Sequence, residues 1–234
     1  MTVTYEQHGA VALITIDDGK ANAFGHDLID QLQKAIDQAE KDAGAIVIAG
    51  RPGRFSAGFD LSVMTSGTDA ARGLLNAGAQ LSMRLFALKI PVVVASTGHA
   101  LAMGAIMLFA ADRRIGAAGN YKIGLNEVAI GMPVPQFAIA LGRQSLANES
   151  LNEAINLATV YDPEGAVRVG YYDELASDED IVARALAVAT DFAERLRQGA
   201  FATTRTYLRG EALKQAEAGL VADLNSFVVD LPEN

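Results

Sequence analysis

Two short segments rich in small residues could present backbone N–H groups to a reacting carbonyl. Residues 54–61 are Arg-Phe-Ser-Ala-Gly-Phe-Asp-Leu, and residues 98–107 are Gly-His-Ala-Leu-Ala-Met-Gly-Ala-Ile-Met. In the first, Gly58 allows a sharp turn that exposes the N–H of Phe59. In the second, a strand turns into an apolar helix near Gly104, and the first N–H groups of a helix have no partner within it. Such donors stabilise an oxyanion, although glycine packing between strand and helix explains either segment alone.

Glu127 is the carboxyl group that the sequence places best for proton transfer. It lies between the apolar run 121–125 and the apolar residues 128–130, where solubility needs no charge. Burial there would raise its pKa toward the operating pH, as a general base requires. A lone glutamate of this kind is more often a solvated loop residue or a helix cap, so its role depends on its neighbours.

The elements that must position these groups follow from the hydrophobic pattern. A helix is predicted over Asp27–Asp42, where apolar residues recur at helical spacing. Strands are predicted over Val11–Ile16, Ala45–Ala49, Val92–Ser96, Arg113–Ala117 and Tyr121–Leu125. Several of these strands are apolar on both faces and are separated by helices, which indicates an α/β protein with a helix-covered parallel sheet.

The C-terminal third is predicted to be helical, with apolar stripes suited to packing or oligomerisation. The predicted helices cover Gln136–Arg143, Asn148–Val160, Pro163–Val169, Glu179–Arg197 and Arg205–Phe227. No Gly/Ser-rich or low-complexity linker interrupts them.

Composition excludes several classes of function. The net charge of −9 argues against a nucleic-acid partner. Without cysteine there is no thiolate chemistry, and the three histidines are scattered without metal-ligand spacing, so we expect no metal. The N-terminus lacks the pattern of a signal peptide. The nearly uncharged stretch Ile90–Ala111 contains a proline and glycines and indicates a strand–turn–helix, not a membrane span. A cytoplasmic location is therefore expected.

Taken together, the motifs resemble the enoyl-CoA hydratase/isomerase (crotonase) superfamily. The matching segments, in order along the chain, are 22–24, 55–61, 98–104, 112–115 and 123–131. The resemblance implies a crotonase-like spiral of ββα repeats over residues 1–180, containing the acyl-CoA site, and a helical C-terminal oligomerisation region over residues 181–234. It also implies an acyl-CoA substrate, no cofactor apart from the coenzyme A of that substrate, and a homotrimer or dimer of trimers.

The resemblance also assigns roles to individual residues. It implies that Glu127 is catalytic and that the backbone at Phe59, Met103 and the adjacent Gly104 forms the oxyanion hole. The substrate-binding residues that it implies are Ala21, Asn22, Ala23, Phe24, Ala57, Asp60, Leu61 and Ile106. The small-residue stretch Thr65–Gln80 is expected to cover the acyl pocket and to be mobile.

Ile106 bears on the choice of reaction. The hydratases that this chain resembles carry a second glutamate at its position, and addition of water benefits from two carboxyl groups. Shifting a double bond from the 3,4 to the 2,3 position needs only one base, so a Δ3,Δ2-enoyl-CoA isomerase is preferred. Enoyl-CoA hydratase and a non-catalytic acyl-CoA-binding protein remain alternatives. Many relatives also carry a lysine for the phosphates of coenzyme A where this chain has Ser62, and Lys20, Lys89 and Arg205 are substitutes by charge.

Overall fold

The computed structural model describes residues 2–227 and places the longer strands in a six-stranded sheet. Its order is β1 (Val3–His8), β2 (Val11–Ile16), β3 (Ala45–Ala49), β5 (Val92–Ser96), β7 (Arg113–Ala117) and β9 (Glu174–Ala176). Strand β1 is antiparallel to β2, and the later neighbours are parallel. The predictions of β2, β3, β5 and β7 are confirmed with their bounds unchanged.

A smaller sheet contains the short parallel strands β4 (Gly53–Ser56), β6 (Gly98–Leu101) and β8 (Ile123–Gly124). Each follows a strand of the larger sheet, so successive units contribute one strand to each sheet before the chain continues into helical structure. This arrangement confirms the crotonase-like spiral of ββα repeats. The strand predicted over Tyr121–Leu125 is reduced to the two residues of β8.

Helices cover the sheets and extend toward the C-terminus. They are α1 (His26–Asp42), α2 (Leu61–Met64), α3 (Thr68–Ala87), α4 (Met103–Ala110), α5 (Gln136–Gly142), α6 (Pro163–Val169), α7 (Ile181–Arg195) and α8 (Gln198–Ser226). Every residue of α4 is buried, as its uniformly apolar sequence predicts. The stretch Ile90–Ala111 is accordingly β5, β6 and α4, and no helix within residues 2–227 combines the length and apolar character that a membrane span requires.

The two faces of the larger sheet pack against different helices, because successive side chains of a strand point to opposite faces. On β3, Ile46 and Ile48 join the main core, whereas Val47 faces a second cluster. That second cluster is closed by the buried stripe Ile181 and Ala185 of α7. The division at residue 180 into a spiral core and a C-terminal region stays a prediction, and residues 228–234 lie outside the described part of the chain.

Arg205 anchors α8 to the core. Its guanidinium is buried, donates to the carbonyl oxygens of Leu88 and Ile90, and pairs with the carboxylate of Asp112. Arg209, one turn later, pairs with the same carboxylate at 3.0 Å. The hypothesis that Arg205 meets the phosphates of coenzyme A is therefore wrong, because its charge is already neutralised inside the protein.

Two segments differ in secondary structure from what the sequence analysis describes. The segment 148–160 is not one helix: it forms a 3-10 turn (Asn148–Ser150) and a π turn (Asn152–Asn156), and Ala158 then takes a positive φ of 51°. Most of the segment 65–80, for which no helix was predicted, belongs to α3, whose apolar residues are buried in the main core. The expected mobility of this segment stays a prediction. Its Gly78 is needed for close packing, because an added Cβ would lie 2.5 Å from the ring of Phe59.

Candidate active site

The first turn follows β4 and is held against the segment that precedes α1. Phe24 and Phe59 form an isolated parallel bridge, in which Phe24 N–H donates to Gly58 C=O at 2.8 Å and Asp60 N–H donates to Phe24 C=O at 3.1 Å. In this pattern the residues on either side of Phe59 take part in the bridge and the N–H of Phe59 does not. The described residues provide no acceptor for that N–H. The backbone of the first turn thus retains one unused donor beside a cavity that Phe59 lines.

Buried side-chain hydrogen bonds fix the shape of this turn. The amide Nδ2 of Asn22 donates to the carbonyl oxygens of Ile16 (2.9 Å) and Phe55 (3.1 Å). The hydroxyl of Ser56 donates to Asn22 C=O at 2.7 Å and accepts from Gly58 N–H at 3.0 Å. Asn22 and Ser56 are fully buried. Their polar groups therefore hold the turn and do not face the cavity.

The second turn joins β6 to α4 through a strained residue. Ala102 has φ 49° and ψ −119°, a conformation that L-residues rarely adopt. Its N–H donates to Gly124 C=O and its carbonyl accepts from Ile106 N–H, both at 3.0 Å. Met103 is the first residue of α4, and no acceptor for its N–H occurs within residues 2–227. This second unused donor also carries the favourable field of a helix N-terminus.

The two turns lie against each other. A Cβ added to Gly58 would be 2.9 Å from Cβ of Ala102 and 3.6 Å from the backbone nitrogen of Met103. Gly58 also has φ 106°, so both its backbone conformation and the lack of space for a Cβ favour glycine at this position. The two turns that carry the N–H groups of Phe59 and Met103 are therefore neighbours beside a cavity that Phe59 and Ala102 line, and two neighbouring donors are what an oxyanion hole requires.

This cavity has a volume of about 260 Å³ and is mostly apolar. Its lining includes Ala57, Phe59, Leu61, Met64, Leu75, Ala102, Ile106, Asn126, Glu127, Ile130, Met132, Pro133, Pro135 and Phe227. Among these described residues Glu127 is the one with an ionisable side chain. Leu61 and Ile130 are exposed at 67% and 57%, so they mark the mouth of the cavity.

Glu127 lies between β8 and a 3-10 turn formed by Val128–Ile130. Its carbonyl accepts from Ile130 N–H (3.0 Å) and Met132 N–H (2.9 Å), which holds the backbone in place. The side chain is only 7% exposed, and its Oε2 has no hydrogen-bond partner among the described residues. Burial raises the pKa of Glu127 to about 7. A carboxyl group in this state can both take and return a proton near neutral pH.

The chain as a whole is similar to proteins of one family. A sequence profile described as "Enoyl-CoA hydratase/isomerase" matches residues 6–229. The chain belongs to the enoyl-CoA hydratase/isomerase family. It is thus an enzyme of the crotonase type, as the motifs predicted.

Among relatives within the enoyl-CoA hydratase/isomerase family, some are named as hydratases and others as isomerases. A probable enoyl-CoA hydratase of Bacillus subtilis is 34% identical over 197 residues, covering 80% of this chain and 74% of the relative. The human mitochondrial enoyl-CoA delta isomerase 1 is 26% identical over 223 residues, covering 93% and 74%.

The solved structures that resemble this chain likewise include both isomerases and hydratases. The apo structure of an enoyl-CoA isomerase of Mycobacterium tuberculosis has a TM-score of 0.92 at 40% identity, covering 97% of this chain and 99% of that one. An enoyl-CoA hydratase of Mycobacterium marinum has the same TM-score and identity, with coverage of 98% and 100%. Similarity therefore establishes the family and the fold, and the choice of reaction rests on the site itself.

The structure brings many of the predicted residues of this family member together. Ala57, Phe59, Leu61, Ile106 and Glu127 line one cavity. Met103 and Gly104 begin the buried helix beside it, and Gly104 packs so closely that an added Cβ would lie 2.8 Å from Ser56 C=O. Their contacts with substrate stay predictions.

The remaining predicted substrate-binding residues lie around the first turn. Ala21 C=O accepts from Ala57 N–H at 3.0 Å, and Ala23 stands between the hydrogen-bonded Asn22 and Phe24. The carboxylate of Asp60 accepts from the hydroxyl of Ser62 (2.6 Å) and from its N–H (2.9 Å), capping α2. The hydrogen bond from the Ser62 hydroxyl has the larger effect, and together the two bonds hold the pKa of Asp60 below its usual range. Any role of these residues toward substrate remains a prediction.

Several cavity residues were not predicted from the sequence. They are Met64, Ala102, Asn126, Ile130, Met132, Pro133, Pro135 and Phe227, whereas Leu75 lies in the segment 65–80 that was expected to cover the acyl pocket. The loop 131–135 follows the short turn after Glu127 and contains two prolines, and this proximity was the available signal that it borders the site. Phe227 is a hundred positions from Glu127 along the chain, and no local pattern connects them.

His99, which precedes the second turn, makes contacts that hold the protein together. Its Nδ1 accepts from Lys122 N–H at 3.0 Å, and its ring meets Tyr121 edge-on with centroids 5.4 Å apart. Burial, together with the charges of Arg54 and Lys122, lowers the pKa of His99. Within residues 2–227, no group of three or more His, Asp or Glu side chains is placed to hold a metal ion.

Proposed function

We propose that the enzyme converts 3-enoyl-CoA thioesters into their conjugated 2-enoyl isomers, with Glu127 as the single acid and base. The observation that supports this most is the composition of the cavity wall, in which Glu127 is the one ionisable side chain among the described residues. Ile106, at the position of the second hydratase glutamate, lines the same wall and is 1% exposed. One carboxyl group suffices to move a double bond, whereas hydration benefits from two.

In the first step the carboxylate of Glu127 removes a proton from C2 of the substrate. The C2–H bond breaks, and its electrons delocalise through the thioester and the neighbouring double bond to give a dienolate. Negative charge then develops on the thioester oxygen, where the N–H groups of Phe59 and Met103 donate. These donors stabilise the dienolate more than the ground-state carbonyl, and each is worth about 3–4 kcal/mol.

In the second step the newly formed carboxylic acid of Glu127 gives its proton to C4. The C3–C4 double bond becomes single and a C2–C3 double bond forms, so the thioester returns to a neutral, conjugated state. A pKa near 7 suits both steps, because neither the acid nor the base is then a poor proton-transfer partner at neutral pH.

We propose that coenzyme A enters only as part of the substrate and that no separate cofactor is needed. The thioester would lie between the two turns, with the acyl chain against Leu61 and Ile106 and the coenzyme A part near the backbone of residues 21–24. We also propose a homotrimer or dimer of trimers. The exposed side chains of Tyr207, Leu208 and Val221 on α8 support a further contact surface, and light scattering coupled to gel filtration would measure the assembly.

Enoyl-CoA hydratase is the second candidate. The name of the Bacillus subtilis relative, at 34% identity, favours it. Glu127 would then activate a water molecule, and the proton for C2 would have to be delivered without a second carboxyl group among the described cavity residues.

The deciding experiment incubates 3-hexenoyl-CoA and 2-hexenoyl-CoA separately with the wild type, Glu127→Gln and Glu149→Gln. Glu149 is exposed, so it controls for the chemical change alone. We expect conjugation of 3-hexenoyl-CoA by the wild type and the control, and a loss of about a thousandfold or more in Glu127→Gln. Hydration of 2-hexenoyl-CoA without conjugation of the 3-enoyl substrate would select the hydratase, and no turnover of either would refute both candidates.

A further inference from the structure

The C-terminal end of α8 forms part of the cavity wall. Phe227 directly follows the helix, where the backbone becomes extended with φ −67° and ψ 121°. Its side chain is partly buried against the main core and lines the cavity together with the buried Met64 and Leu75. The exposed residues of the mouth, Leu61 and Ile130, contrast with these. Phe227 therefore helps to close the cavity where its wall is built from buried side chains.

Arg72 of α3 holds this end of the chain. Its Nε donates to Phe227 C=O at 2.9 Å, and its Nη2 lies 3.5 Å from Asn225 C=O. Arg72 precedes Leu75 by three residues, so the two share a face of α3 and Leu75 lines the cavity beside Phe227. A charged donor satisfies carbonyl groups that the end of a helix leaves without partners.

A second attachment joins the same end of α8 to the start of α5. The carboxylate of Asp223 accepts from Gln136 N–H at 2.7 Å and from Gln136 Nε2 at 3.2 Å. Gln136 begins α5 directly after Pro135, another cavity residue. The segment that carries Phe227 thus spans from α3 to α5, and both attachments are side chains outside the catalytic machinery.

The cavity that these contacts help to enclose has a volume of about 260 Å³, near the lower end of the range of roughly 300–1,000 Å³ that is usual for small-molecule sites. A wall residue that can move or be truncated would then decide how much acyl chain fits.

We propose that Phe227 determines acyl-chain length by closing the cavity, and that Arg72 is the residue that positions it. The inference rests on the proposed acyl-CoA site and specifies its substrate class as short straight-chain thioesters. Phe227 limits the chain by occupying the space that further methylene groups would enter. Arg72 acts only through the backbone that it holds.

The role of Phe227 in chain-length preference can be tested by the binding of saturated thioesters, which the enzyme does not have to convert. Dissociation constants of hexanoyl-CoA and dodecanoyl-CoA are measured by titration calorimetry for the wild type, Phe227→Ala and Phe227→Trp. The wild type should prefer hexanoyl-CoA, and Phe227→Ala should shift the ratio toward dodecanoyl-CoA by roughly tenfold, because each added methylene in an apolar pocket can contribute a factor of this order. Phe227→Trp, which adds volume at the same place, should shift it in the other direction.

Arg72 is tested by a set of matched variants. Arg72→Met keeps an unbranched apolar stem and removes the donors, and it should move the same ratio toward dodecanoyl-CoA by about threefold. Arg72→Lys, which retains a charged donor, should restore part of the wild-type ratio. Arg195→Met is the control, because Arg195 pairs with Asp191 on the surface of α7.

The outcomes separate this inference from the proposed reaction. An unchanged ratio in both folded Phe227 variants, or equal changes for the two thioesters, would overturn the role of Phe227. A ratio in Arg72→Met that matches the wild type would overturn the positioning role. Failure of the wild type to convert 3-hexenoyl-CoA would refute the isomerase, while the dissociation constants would still report on the wall.

Discussion

The two sides of the cavity are built on different physical principles. The donor side consists of the turns at residues 57–59 and 102–104, and the base side consists of residues 125–132. On the donor side, the buried polar groups of Asn22 and Ser56 are hydrogen-bonded, and the backbone is fixed by neighbouring strands. On the base side, Glu127 has a buried oxygen without a hydrogen-bond partner among the described residues. The fixed backbone orients the donors, whereas burial raises the pKa of the base.

The two turns of the donor side also differ from each other. The first relies on Gly58, which tolerates its φ of 106° without strain. The second places an alanine, Ala102, at φ 49° and ψ −119°, which costs about 1–3 kcal/mol. The strain of Ala102 is offset by the hydrogen bonds that its N–H and C=O make to Gly124 and Ile106. Variants of each turn should therefore affect activity and stability in different proportions.

Gly58→Ala should give the largest effect on the donor side. The new methyl group would clash with Ala102 and force the two donors apart, at a cost of about 3–4 kcal/mol in transition-state stabilisation. Activity should fall by roughly a hundredfold to a thousandfold, with no change in the midpoint of its pH profile. Steady-state kinetics across pH measures both quantities.

The matched control for this variant is Gly9→Ala. Gly9 also has a positive φ, but nothing lies within 4 Å of its Cβ position. It should lose stability and retain activity. If Gly58→Ala behaves in the same way, the two turns do not need to be in contact and the proposed donor geometry is wrong.

On the base side, Glu127→Gln should change how stability depends on pH. The pKa of Glu127 rises from 4.5 to about 7 on folding, so the folded state binds this proton more tightly than the unfolded state. Below 4.5 both states are protonated and nothing is lost. As the pH rises from 4.5 to above 7, the wild type progressively loses about 3 kcal/mol that the neutral glutamine does not lose. Urea denaturation near pH 4 and near pH 9 measures the difference.

Glu149→Gln, at an exposed position, serves as the control and should follow the wild type at both pH values. A Glu127→Gln variant whose stability relative to the wild type is equal at the two pH values would contradict the burial of an unpaired carboxyl group. The same pKa predicts that the activity of the wild type falls as the pH drops below about 7.

Ser56→Ala should weaken the first turn without touching the second. It leaves Asn22 C=O without its buried donor, which costs about 1–3 kcal/mol of stability. Activity should fall by about tenfold, because the turn that carries the Phe59 donor loses its hydrogen bonds to Ser56. Ser66→Ala, at an exposed hydroxyl, should change the free energy of unfolding by less than about 0.5 kcal/mol. Equal losses in the two variants would show that Ser56 does not hold the turn.

Ala102→Gly should give the smallest effect and the opposite sign in stability. Relief of backbone strain, less the added entropy of glycine in the unfolded chain, should raise the free energy of unfolding by about 1 kcal/mol. Activity should fall by about threefold, since the Met103 donor becomes less rigid. Ala158→Gly also relieves a positive φ, of 51°, away from the cavity. It should gain stability with no loss of activity, and any loss there would weaken the case that Ala102 orients a donor.

Much of the fold could be predicted because the buried parallel strands are continuous apolar runs. The segments Ala45–Ala49 and Val92–Ser96 are of this kind and are confirmed without change. Strands β4 and β6 of the smaller sheet were not predicted, since Gly53–Ser56 and Gly98–Leu101 are short and contain glycine, arginine or histidine. Helix α3 was missed for a related reason: its Gly73 and Gly78 weaken the local preference for helix, and the need for Gly78 appears only when the Phe59 ring packs against it.

The candidate site was predictable where its residues are consecutive and unpredictable where they come from distant elements. The turns and Glu127 lie in short segments whose residue types suggest their chemistry. The charge of Arg205 suggested a phosphate contact, but the pairing with Asp112 depends on how α8 packs. The contribution of Phe227 likewise depends on where the last helix ends, which no local pattern specifies.

The central claim is that one carboxyl group removes the proton from C2 and returns it to C4. It is tested by incubating the enzyme in ordinary water with 3-hexenoyl-CoA that carries deuterium at C2. Mass spectrometry and NMR of the conjugated product locate the label. The single-glutamate account predicts that part of the deuterium removed from C2 appears at C4, because Glu127 is buried and returns the same proton before it exchanges. Conjugation with no label at C4, together with undiminished turnover by Glu127→Gln, would contradict the account.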